Sequence, residues 1–163
     1  MKIEESKLLL IWGLTTFLGW IFTWTGYMVP LTPFTVLSGW TALMVIPVTI
    51  TLKKFYSGLS NKVFNFWALA VAAIMLQNVL NNLMINRFLI FSYFTLWLIA
   101  AAAVYYYTAS KLPPPSEKTY LYAAAVNLAV IPLIYFVPLK YYTFLAAAVQ
   151  SVPIFYDYWK VHL

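Results

Sequence analysis

Residues 8–28 read LLLIWGLTTFLGWIFTWTGYM, an apolar run without a single charge. About 20 such residues are what a helix needs to cross the ~30 Å hydrocarbon core of a bilayer. The run follows Met1-Lys2-Ile3-Glu4-Glu5-Ser6-Lys7. A secretory leader would have a shorter apolar core and then a small-residue cleavage site. This one runs on through Trp20 and Trp24 to Met28, so it reads as a retained first span.

Comparable blocks follow. The turn Val29-Pro30-Leu31-Thr32-Pro33 cannot continue a helix, because proline lacks the N–H and restricts the residue before it. The expected spans are 8–28, 34–52, 63–84, 88–109, 119–136 and 141–159. Lys53 and Lys54 close the second, Asn86-Arg87 joins the third to the fourth, and Pro113, Pro114 and Pro115 stiffen the loop from Lys111 to Lys118. Pro132 and Pro153 fall inside the last two spans. Proline is tolerated in membrane helices when neighbouring groups satisfy the carbonyls it frees. One span plus a re-entrant segment is the alternative for 119–159. The fold class is thus an all-α integral membrane protein, a polytopic bundle of six transmembrane helices in a single domain spanning 1–163.

Composition agrees. Hydrophobic residues make up 64% and charged residues 9% of the 163-residue chain, against roughly 25% charged in soluble domains, too few to cover a water-facing surface. The formal charge of +6 lies between apolar blocks, where it reads as a topology signal and not as a nucleic-acid-binding face. With six spans one side holds Lys2, Lys7, Lys53, Lys54, Lys62, Lys111, Lys118 and Lys160, and the other only Arg87 and Lys140. Positive residues collect on the cytoplasmic side, so both termini are expected there. Tyr105, Tyr106, Tyr107, Tyr120, Tyr122, Tyr156, Tyr158 and Trp159 are expected at the cytoplasmic interface. Trp24, Tyr27, Tyr141 and Tyr142 are expected at the outer one, since amphipathic rings favour that depth.

Chemistry has few residues to use. The chain has no cysteine, so disulfides, thiolate nucleophiles and iron–sulfur clusters are excluded. Its carboxylates are Glu4, Glu5, Glu117 and Asp157. The last is expected at the interface, held by water and by Lys160 three residues on. The one histidine is His162, which cannot supply a haem or metal site alone. No serine has a base within the spans, and no glycine-rich phosphate loop occurs. No cofactor and no catalytic residue are expected, and an enzyme acting on lipids or quinones lacks an acid–base pair.

The most informative intramembrane feature is an amide stripe in the third span. Gln77 and Asn81 stack at i and i+4, as do Asn78 and Asn82. Amides in hydrocarbon need partners. The stripe either lines a solute path or headgroup pocket, or bonds to neighbouring helices within the chain or in a partner, at about 0.6–2 kcal/mol per bond. Asn127 and Gln150 are candidates to face it. The two follow similar runs, Ala123-Ala124-Ala125-Val126 and Ala146-Ala147-Ala148-Val149, which need no common ancestry. The small pairs Ser38/Ala42, Ala68/Ala72, Ala125/Ala129 and Ala147/Ser151, with Gly13, Gly19 and Gly26, are expected to let helices approach closely. Thr15, Thr16, Thr23 and Thr25 can bond to their own helix.

Two functions follow. The first is a non-catalytic multi-pass cell-membrane subunit, a scaffold or accessory chain of a larger complex or self-assembly, in an energy-converting system for example. The second is a transporter, facilitator or channel for a small neutral or lipid-like solute, lined by the stripe.

Overall fold

Proline and threonine set the first helix boundary. Pro33 opens the second helix, where its missing N–H has no helical partner to lose, and the Thr35 N–H donates to Thr32 Oγ1 at 3.2 Å to cap it. In the computed structural model, which describes residues 3–29, 31–53, 59–83 and 93–162, such boundaries separate six α-helices. They are α1 (Ile3–Met28), α2 (Pro33–Lys53), α3 (Leu59–Leu83), α4 (Tyr93–Ala109), α5 (Ser116–Ala129) and α6 (Leu139–His162). One helix lies over each expected span, and no strand occurs among the described residues. Met84 to Ser92, including Asn86-Arg87 and the expected start of the fourth span, lie outside the described residues.

The fifth segment differs from expectation. α5 stops at Ala129, and Ile131–Tyr135 form a 3-10 helix with Pro132 in its first turn. Pro132 has no N–H to continue the α-helical ladder, so the chain tightens. The Val130 carbonyl at the break accepts both the Leu133 N–H at 3.1 Å and the Tyr142 hydroxyl at 3.0 Å.

The helices close into a ring. α1 packs on α2, α2 on α3, α3 on α4, α4 on α5, α5 on α6, and α6 back on α1, with α4 also reaching across to α6. Glycine sets the α1–α2 approach: a Cβ on Gly19 would sit 2.6 Å from the Trp40 ring. Gly13 does the same for α6, where a Cβ would meet Phe155 at 2.8 Å. Of the small pairs, Ala147 and Ser151 are both buried, whereas Ser38, Ala42, Ala125 and Ala129 are exposed. Those two pairs therefore face outward.

Indole rings fill the centre. Trp20 meets Trp40 edge-on with centroids 5.5 Å apart, Trp40 stacks on Trp97 at 4.8 Å, and Trp12 meets Trp67 edge-on at 5.6 Å. Each indole N–H of Trp12, Trp40 and Trp67 donates to a threonine, respectively Thr51 (3.4 Å), Thr23 (2.7 Å) and Thr108 (2.8 Å). Thr15, Thr23 and Thr25 also bond back to carbonyls of α1, as their spacing predicts.

The outside is apolar as well. Phe34, Leu69, Leu76 and Val152 are exposed at 72, 67, 60 and 59%. Helices apolar on all sides suit a membrane or a deep core, not a water-facing bundle. Three helical stretches are long and apolar enough to cross a membrane: Lys7–Met28, Phe34–Thr51 and Ser116–Tyr135. The apolar stretches Lys62–Gln77 and Phe94–Ala109 are shorter among the described residues, and α6 carries Lys140, Asp157 and Lys160.

Candidate functional site

Pro153 lies inside α6 and has no N–H, so the carbonyl of Val149, four residues back, lacks its usual helical donor. Asn127 of α5 supplies one. Its Nδ2 donates to Val149 O at 3.2 Å and to Ala123 O of its own helix at 2.8 Å. On the same turn of α6, Tyr105 of α4 donates its hydroxyl to the Gln150 carbonyl. The Gln150 side chain in turn accepts from Trp20 Nε1 of α1 at 2.9 Å. Side chains from α1, α4 and α5 thus converge on the α6 turn before the proline. Asn127 is fully buried and Gln150 is 2% exposed.

A cavity of ≈ 50 Å³ adjoins this turn, bounded by Trp12, Trp67, Trp97, Tyr105, Gln150 and Ile154. One water needs about 10–15 Å³ on this measure, so the space suits a few waters. Gln150 Nε2 is buried with no protein partner, as are Asn127 Oδ1 and Ser151 Oγ. Of these three, Gln150 lines the cavity, where its amide offers a donor beside the aromatic wall, but the space is too small for a metabolite.

A second polar cluster joins α5 to α6 nearer the end of the bundle. Ser116 Oγ donates to Asp157 Oδ1 at 2.8 Å, and the Tyr120 hydroxyl to Oδ2 at 3.2 Å. Asp157 is 3% exposed. Its partners are thus Ser116 and Tyr120, and not the expected Lys160. The ammonium of Lys160 instead lies 4.6 Å from the Tyr156 ring centroid. Among the described residues no three His, Cys, Asp or Glu side chains gather into a metal-binding group.

The sequence-predicted residues divide. Asn127 and Gln150 come together on one turn, through bonds to α6 and α1. Gln77 of α3 is half-buried. Asn78, Asn81 and Asn82 lie on α3, with side chains outside the described residues. Tyr105, Tyr120 and Tyr142, expected in the interfacial belts, face into the bundle, where each hydroxyl finds an acceptor. Tyr106, Tyr122, Tyr156 and Trp159 are exposed. Pro153 was the signal for the partner of Asn127, since it marks the Val149 carbonyl four residues before it. No protein family, characterised protein or solved structure matches the chain.

Proposed function

We propose that the chain is a non-catalytic multi-pass membrane subunit, a scaffold or accessory chain of a larger membrane assembly. It crosses the bilayer six times with both termini in the cytoplasm. The orientation rests on the lysine asymmetry between alternate loops.

One observation carries the reading. The buried amides at the centre bond helix to helix, Asn127 to Val149 and Gln150 to Trp20, and the cavity beside them measures only ≈ 50 Å³. Such a centre suits holding helices in register better than passing a solute. The exposed small pair Ser38 and Ala42 on α2 would let a partner helix approach closely.

Native mass spectrometry of the tagged chain, gently extracted from its own membrane, tests the proposal. A defined complex with unlike subunits is expected. A stable, functional monomer would overturn it and turn attention to a solute path along Gln77, Asn78, Asn81 and Asn82.

A further inference from the structure

The outer surface between α5 and α6 holds a groove of ≈ 620 Å³, within the range of about 300–1,000 Å³ typical of small-molecule sites. Its chemistry changes along its length. The Ser116–Asp157 and Asn127–Val149 bonds set the two helices antiparallel, so the start of α5 lies level with the end of α6. Lys118 and Lys160, with Tyr122 and Tyr156, therefore line one end. Val126 and Val152, each eight residues along its helix from the lysine, line the groove about 12 Å deeper, at 1.5 Å rise per residue.

Both lysines are exposed, and the Tyr156 ring face, 4.6 Å from the Lys160 ammonium, holds that charge over the groove. Asp157 does not line the groove: it is buried on the inner side of the seam, where Ser116 and Tyr120 donate to it. Glu117 neighbours Lys118 in sequence, but adjacent residues on a helix point in different directions.

We propose that this groove binds one anionic phospholipid, with its phosphate between Lys118 and Lys160 and an acyl chain along Val126 and Val152. The pattern of two cations at one end and an apolar trough below matches a molecule with one charged end. A free phosphate needs the lysines but not the trough, and a partner helix needs the trough but not paired cations at its end. The proposal rests on membrane insertion and not on the subunit role.

The test is a native mass spectrometry titration of the intact chain in mild detergent, with phosphatidylglycerol and phosphatidylcholine of identical acyl chains. The choline ammonium offsets the phosphate charge and phosphatidylglycerol has no such cation, so two lysines at the headgroup predict roughly 10–30-fold tighter binding of phosphatidylglycerol. Lys118→Gln with Lys160→Gln is expected to erase that preference, and Val126→Trp to weaken both lipids by blocking the trough. These side chains are exposed, so an unchanged melting temperature verifies folding. An undiminished preference in the double glutamine variant overturns the proposal. So does phosphatidylglycerol binding that survives Val126→Trp and is displaced by inorganic phosphate, which would mark a surface phosphate patch. Absence of lipid binding, with a partner protein crosslinking at Tyr122, would assign the groove to a protein and overturn it as well.

Discussion

Asn127 Nδ2 donates across from α5 to the carbonyl of Val149 in α6 at 3.2 Å, the carbonyl that Pro153 deprives of its helical donor. The proline and the asparagine thus depend on each other. Without the proline, residue 153 would satisfy Val149 from within α6. Without the asparagine, the proline would leave a buried acceptor unpaired in a place with little water, where neighbouring groups normally restore such bonds.

Asn127→Leu is therefore expected to destabilise the bundle by about 1–3 kcal/mol in thermal unfolding in detergent. Adding Pro153→Ala should recover a large part of that loss, because an alanine N–H returns the missing donor. A double-mutant cycle is the measurement. Strictly additive effects of the two substitutions would show that Asn127 and Pro153 are not coupled.

The Trp20–Gln150 bond ties the first helix to the last. Trp20→Phe keeps an aromatic ring beside Trp40 but leaves the Gln150 oxygen without its donor, and should cost about 1–2 kcal/mol. Gln150→Leu removes the acceptor that the indole N–H uses across the bundle and should cost a similar amount. Combining them removes both polar groups, so the double variant should lose less than the sum. A full additive loss in the same unfolding assay would mean the bond contributes nothing.

Much of this fold was legible in the sequence, and the physics tells which part. Apolar block lengths and prolines placed six helices, since spanning length and missing N–H groups are local properties. Asn127 and Gln150 stood out because an amide in an apolar run must find a partner. Which partner was not legible, because Trp20 is 130 residues from Gln150 and the pairing depends on α6 closing onto α1. That Tyr105 and Tyr120 face into the bundle was not legible for a related reason. A tyrosine near a helix end suits the interface or a buried acceptor equally well, and only the assembled ring puts Gln150 O and Asp157 within reach.

Asp157 gives a third prediction. Hydrogen bonds to a charged group contribute about 1.5–3 kcal/mol, and this carboxylate has two, from Ser116 and Tyr120. Ser116→Ala with Tyr120→Phe should destabilise the bundle strongly, because the buried charge then loses both donors. Asp157→Asn, which keeps the shape and one acceptor, should cost much less when placed in the wild-type background. It should also partly rescue the Ser116→Ala, Tyr120→Phe pair, because it removes the charge. Failure of that rescue in thermal unfolding would mean that packing, not charge, governs the seam.

The absence of cysteine allows the topology to be tested by single-site labelling. Val29, Ser110 and Lys140 are exposed in turns or at helix ends between the proposed spans, so single cysteines there can be labelled without disturbing the core. A membrane-impermeant maleimide applied to intact cells should label Val29→Cys and Lys140→Cys, and should reach Ser110→Cys only after permeabilisation. Three crossings separate residues 29 and 110, and one separates 110 from 140. Labelling of Ser110→Cys and Lys140→Cys from the same side would mean that α5 and its 3-10 continuation enter the bilayer without crossing it. The break at Pro132 would then be the tip of a re-entrant segment. Reversal of all three would keep the crossings and overturn the orientation drawn from the lysines.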